Sequence, residues 1–270
     1  MELVEILDKI SVLNRDNGKR FTNTERLNVI TSLLWKSEYR RINPDGLFHL
    51  YAKVPLDSFQ DRDAVIVSSH VDCEKSISRC FSRPEGNGLL RGTYDNAITN
   101  ASILFLMLQD ALPVHVLVAF TGDEEKDSTG AKHLEKFLHD QNIRIRHLFV
   151  LDVTDMGWHS DRKDSSVFTI ENDFWRDDYG KIIVEAVKNK SYTWNFVPSD
   201  TSVIPAFVPP EKVILCEAEE DESWFYDEKG VNCCSICLPI QGEMHSDEGV
   251  LAWETSFRQY TDILKIILSI

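Results

Sequence analysis

The chain has 270 residues, 43% hydrophobic, 27% charged and 10% aromatic, a globular composition rather than a disordered, collagen-like or membrane-embedded one. Its 29 Lys and Arg against 44 Asp and Glu leave a formal charge of -15, which argues against a general binder of nucleic acid or anionic membrane, since phosphate surfaces are met by clustered cations. No apolar run approaches the roughly 18 residues of a membrane span, and MELVEILDKISVLNRDN lacks the basic then apolar pattern of a secretory leader, so a cytoplasmic setting is expected.

Residues 2–15 and 22–38 carry helical spacing, the second opened by Thr22-x-x-Glu25 in the form of a capping box; both are expected to pack as a cover within residues 1–40. The turn signal Asn43-Pro44-Asp45-Gly46 leads to LFHLYAKV (47–54) and AVIVSS (64–69), strand-like in β-branched and aromatic content, the latter stopping at His70. Glycine and proline punctuate 71–94, which reads as a loop or small hairpin. A helix is expected over 96–112, followed by the strand VHVLVAF (114–120), a helix near 128–139 and the strand HLFVL (147–151). VFTI (167–170), a helix near 174–189, VILC (213–216), CSICLPI (234–240) and a last helix near 247–269 complete the chain. This alternation predicts an α/β fold of three α/β/α layers around a mostly parallel, mixed sheet. With no repeat and no Pro- or Ser-rich linker, 1–270 is expected to be a single domain.

Cys73, Cys80, Cys216, Cys233, Cys234 and Cys237 are too sparse for a disulfide scaffold. Cys234-x-x-Cys237 has the spacing of half a zinc knuckle without its second half, and buried free thiols in a strand are the better reading. The run Glu217–Glu222 reads as a solvated acidic loop. His49 and His115 fall in strands, and His133, His139 and His147 on or beside a helix; all five are assigned structural places.

In an open α/β sheet, ligands bind beyond the carboxyl ends of the strands, so polar residues that terminate apolar runs are the ones to collect. They are His70-Val71-Asp72, Asp123-Glu124-Glu125, Asp152 and Glu243-Met244-His245, joined by Asp95, which closes the long loop before the next helix. Two imidazoles among several carboxylates suit zinc, cobalt or manganese, and carboxylates gathered without cations would repel one another. In His70-x-Asp72 the side chains share a face of an extended segment, so Asp72 can hold one ring nitrogen while the other stays free. His159, near Asp152 and Asp155, is a rival ligand.

The order His70-Val-Asp72, Gly-Thr-Tyr-Asp95-Asn96, Thr-Gly-Asp-Glu124-Glu125 with Thr129-Gly130-Ala131, Leu-Asp152-Val-Thr and Gly-Glu-Met-His245-Ser246 resembles the co-catalytic zinc peptidase superfamily. That group includes aminopeptidases of the M28 and M42 type and M20 amidohydrolases, and the likeness runs from about residue 64 to the C-terminus. The resemblance implies a zinc-exopeptidase-like fold and two divalent ions, zinc first, with cobalt or manganese as substitutes. It makes His70 and Asp152 ligands of one ion, Glu125 and His245 ligands of the other, Asp95 the bridge, Glu124 the general base and Asp72 the partner of His70. Pro198-Ser-Asp200-Thr-Ser-Val-Ile-Pro205 resembles a loop that approaches the site, which makes Asp200 a candidate substrate contact. The 25 residues from His70 to Asp95 and the 93 from Asp152 to His245 leave no room for an inserted lid or dimerisation domain, so the expectation is a bare M28-like core.

Asn96, the polar Lys126-Asp127-Ser128 and Cys73 depart from the usual pattern without removing a ligand. The implied activity is a metal-dependent aminopeptidase or small-peptide hydrolase acting on a small peptide or amide. An N-acyl amino acid deacylase, a glutaminyl cyclase-like transferase and a non-catalytic peptide-binding relative are the alternatives.

Overall fold

The computed structural model describes residues 1–13, 23–44, 46–59 and 63–270; Thr22 of the expected capping box and Asp45 of the expected turn lie outside them. The apolar runs form the strands β1 (Arg40–Arg41), β2 (Phe48–Ala52), β3 (Ala64–His70), β4 (Ser82–Gly86), β5 (Leu89–Gly92), β6 (Val116–Thr121), β7 (Ile145–Thr154), β8 (Phe168–Phe174), β9 (Trp194–Phe196), β10 (Cys233–Pro239) and β11 (Val250–Trp253). Eight of them make one sheet in the order β1, β2, β6, β3, β7, β10, β8, β9, and β11, β5 and β4 make a smaller one. Strands β6, β3, β7 and β10 run parallel, while β2 and β8 border this block antiparallel. The architecture is thus the mixed α/β sheet that the alternation predicts.

Burial on both faces explains why β3 is a continuous apolar run rather than an alternating one. Val65 and Val67 point into one core, and Ala64 and Ile66 into the other. The first core is covered by α1 (Leu3–Ile10), α2 (Thr24–Leu34), α3 (Ala97–Leu108), α6 (Tyr179–Lys188) and α8 (Glu254–Ile267). The second lies under α5 (Thr129–Asp140) and α7 (Glu222–Glu228), with α4 (Glu124–Asp127) a single turn between β6 and α5. Helix α5 shows the cause plainly: Ala131, Leu134 and Leu138 recur at three- and four-residue steps and are buried, while Lys132, Glu135 and Lys136 face solvent or its edge.

Several boundaries differ from expectation. Helix α1 ends at Ile10, and Asn23 caps α2 by accepting from Arg26 N at 3.1 Å. Residues 213–216 form no strand: Val213 makes one isolated bridge to Phe196 and Leu215 is 68% exposed. The last helix starts at Glu254, because Val250–Trp253 pair with β5 instead. Likewise β8 extends to Phe174 and α6 begins at Tyr179. His147 belongs to β7 rather than a helix, packed between Phe149 and Tyr179, and burial lowers its pKa to about 3.

Candidate active site

Strand β3 has β6 on one side and β7 on the other, so the chain reverses its direction of winding there and opens a crevice at the strands' carboxyl ends. Each strand delivers chemistry at that edge. β3 ends in His70, 2% exposed; β7 carries Asp152 near its end; β6 leads through Gly122 and Asp123 into Glu124 and Glu125 at the start of α4. Asp123 takes a left-handed conformation, φ 60°, which turns the chain sharply enough to bring the following pair over the sheet edge. Asp95 enters from the other side, just before α3, where Asn96 and Asn100 anchor the helix start by donating to the carbonyls of Leu151 and His70.

Six of the seven residues expected at the core of the site converge around Asp95. His70 Nε2 is 3.0 Å from Asp95 Oδ1 and 3.6 Å from Asp152 Oδ1. On the opposite flank, His245 Nε2 is 3.3 Å from Asp95 Oδ2 and 3.2 Å from Glu125 Oε2. Ligand atoms of His70, Asp95 and Glu125 all lie within 4.8 Å of one another. Glu124 lines the same cleft. The seventh, Asp72, lies fully buried beneath: its two carboxylate oxygens accept the backbone N–H groups of Glu124 and Glu125, each at 3.2 Å, and Oδ1 is 3.4 Å from His70 Nδ1. His245 reaches the site on a loop tied down by Ser76, whose hydroxyl donates to the His245 carbonyl, and by Asp247, which accepts from Ser78 N.

The electrostatics follow from crowding. Burial and the charges of Asp152, Asp95 and Glu222 push Glu124 up to about 9, and burial with Asp95, Glu124 and Asp72 pushes Glu125 up to about 10. Asp152 rises to about 6 through burial and Asp95. Burial alone would lower the pKa of His70, but Asp152, Asp72 and Asp95 outweigh it and raise the value well above the ordinary imidazole. Asp95 shows the converse: burial works upward, yet hydrogen bonds to His245 and His70 hold it below the usual carboxylate range. Glu125 Oε1 has no hydrogen-bond partner. A group of oxygen and imidazole donors, largely buried apart from the exposed His245, mutually repelling and partly unpaired, fits divalent cations.

One expected contact and one rival ligand stay outside. Asp200 is exposed, its carboxylate taken by Ser202 N and Oγ of its own turn, and it does not line the cleft. His159 is also exposed and away from the lining, its backbone N–H donating to Ser165 Oγ. The acidic run is a partial correction. Glu217, Glu219 and Glu220 are exposed, as a solvated loop would have them, but Glu219, Glu220 and Asp221 also line the cleft, and Glu222 is buried, receiving the Ser68 hydroxyl. Glu171 of β8 also lines the cleft and is 3% exposed. It was within reach of the rule that found the others, because it ends the apolar run VFTI. The cysteines are free thiols, those of β10 buried as expected, and Cys237 touches the cleft.

The structural neighbours share this architecture at low identity. The Pyrococcus horikoshii TET1 peptidase superposes with a TM-score of 0.69 over 99% of this chain and 99% of that one, at 10% identity. Aminopeptidase APDkam598 from the archaeon Desulfurococcus kamchatkensis gives 0.69 over 99% and 94%, also at 10% identity. BSAP, a zinc aminopeptidase from Bacillus subtilis, gives 0.52 at 13% identity over 82% of this chain and 48% of its own length. A search of curated protein sequences finds no significant match. The sequence model of peptidase family M28 matches residues 50–202, more than half of the chain and the stretch from β2 through Asp152 and beyond, and on that match the chain belongs to peptidase family M28.

Proposed function

We propose that the cleft hydrolyses the amide bond after the free N-terminal residue of a small peptide, as an aminopeptidase dependent on two divalent ions, zinc first among them. The observation that carries this reading is the placement of Asp95, with one oxygen 3.0 Å from His70 Nε2 and the other 3.3 Å from His245 Nε2. On that reading His70 and Asp152 would hold one ion, Glu125 and His245 the other, and Asp95 would serve both. Such ions, when bound, supply Lewis-acid activation of a water and of the scissile carbonyl.

The chain's own groups do the rest. Glu124 takes a proton from the attacking water as its oxygen bonds to the carbonyl carbon, then gives that proton to the nitrogen as the C–N bond breaks. Asp72 positions Glu124: holding the adjacent backbone N–H groups, it fixes the turn so that neighbouring carboxylates serve different purposes, one base and one ligand. Its contact with His70 Nδ1 leaves Nε2 turned toward Asp95 and Asp152.

The sign of the cleft supports a free amine over an N-acyl substrate. Glu219, Glu220 and Asp221 attract an ammonium group, which a peptide's free N-terminus offers and an N-acyl amino acid lacks. The test is Glu124→Gln, assayed on aminoacyl nitroanilides and on N-acetyl amino acids, with metal content measured in parallel. Turnover of the nitroanilides is expected to fall by about 10²–10⁴ with metal retained. Undiminished turnover would remove Glu124 from the reaction, and a wild-type preference for N-acetyl amino acids would overturn the aminopeptidase reading.

A further inference from the structure

The cleft holds more acid than this chemistry uses. Beyond Asp95, Glu124, Glu125 and Asp152, its wall carries Glu171, Glu219, Glu220 and Asp221 against one lysine, Lys126, with Val153, Cys237 and Met244 as the less polar surface. Asp221 has an internal reason to be there: it accepts from Ser223 N at the start of α7 and from the hydroxyls of Ser223 and Ser235.

Glu171 has no comparable reason. It sits within β8 opposite Ser235 and is 3% exposed. The Thr154 hydroxyl reaches its carboxyl, but Oε1 has no partner, and the charges that act on it, Asp221, Glu219 and Asp152, are all negative. A carboxylate that is buried, incompletely hydrogen-bonded and surrounded by like charge is unfavourable until a cation joins it. Burial first, then the charges of Asp221, Glu219 and Asp152, push its pKa up to about 8.

We infer that this wall binds a positively charged first side chain, lysine or arginine, with Glu171 as the ion-pair partner at its base and Glu219 nearer the rim. The inference rests on the aminopeptidase reading of the same cleft. Val153 and Met244 supply the apolar contact that the methylenes of such a side chain need beneath its charged end. At about 310 Å³ the cleft is small among ligand pockets, sized for one residue beside the reacting amide.

The experiment pairs binding with turnover in the zinc-loaded chain. Calorimetry compares L-lysine with L-norleucine, which has the same side-chain carbons without the terminal ammonium; kinetics compares lysyl and leucyl nitroanilides. Lysine is expected to bind at least tenfold tighter, lysyl substrate to lead by at least tenfold in kcat/KM, and both ratios to fall below threefold in Glu171→Gln. Equal binding of the two amino acids, or a lysine preference that survives Glu171→Gln, overturns the inference. Should that variant fail to fold, Glu219→Gln decides: at least a threefold loss of lysine preference supports the inference, and an unchanged ratio overturns it. Lysine preference in binding without turnover of any aminoacyl substrate would sustain the pocket and refute the aminopeptidase reading. Equal turnover of both substrates would do the reverse.

Discussion

Asp72 links three parts of the site through one carboxylate: the Glu124 and Glu125 backbone N–H groups and the His70 ring. Asp72→Asn preserves its size but turns one acceptor into an NH₂ group facing a backbone N–H. The expected cost is about 10–100-fold in zinc affinity or kcat/KM, the usual effect of losing an outer partner of a metal ligand; chelator competition and steady-state kinetics would measure it, and wild-type values would deny Asp72 its positioning role. At this scale the chemistry was legible wherever a polar residue ended an apolar run, as with His70 and Asp152. Glu171 ends the run VFTI in the same way, and no motif beside it marks it. Asp200 was drawn in by a short motif, and the structure spends its carboxylate on Ser202. Composition could not show that Glu222 turns inward from an otherwise exposed run, because the partner that meets its carboxylate is Ser68, more than a hundred residues earlier.

Gly130 shows how an element's packing sets the position of the Glu124–Glu125 turn. A Cβ there would meet Gly122 O at 2.4 Å and Gly122 N at 2.5 Å, both backbone atoms that cannot swing aside. Gly130→Ala is therefore expected to push α5 away from the β6 end, destabilising the fold by about 1–3 kcal/mol and lowering activity through displaced glutamates. Urea melts and kcat/KM together would check it; an unaffected variant would mean the turn is not held by this contact. Arg26 does similar work on the opposite face, donating from α2 to the carbonyls of Ile10 and Val71. The three- and four-residue steps of α5 and the continuous apolar run of β3 were readable from sequence. The N-terminal boundary of α8 was not, since Val250–Trp253 become a strand only because β5 lies alongside. VILC failed for the converse reason: apolar and β-branched, it meets only the three-residue end strand β9, through the single bridge of Val213 to Phe196.

Across the whole molecule, the acidity of the chain is partly concentrated at one sheet edge, and stability should report it. Without ions, Glu124, Glu125 and Asp152 sit at about 9, 10 and 6, above their ordinary values, so the folded state holds their protons more tightly than the unfolded state does. Their stabilising contribution is then complete below about pH 4 and is withdrawn as pH rises toward 9–10. Asp95, shifted downward, acts in the opposite sense and only on the acid side of its ordinary value. Chelator-treated protein is expected to lose Tm steadily from pH 5 to pH 9, while zinc-loaded protein loses much less; parallel curves would show that the carboxylates are not the cation-binding groups. The parallel order of β6, β3 and β7, which the alternation of elements made legible, is what brings those charges together. The most direct test of the central claim is an anomalous-difference map at the zinc edge from crystals of the zinc-loaded chain. The account predicts two peaks on either side of Asp95, one by His70 and Asp152 and one by Glu125 and His245; a map with no peak at Asp95, or with zinc held by other residues, would contradict it.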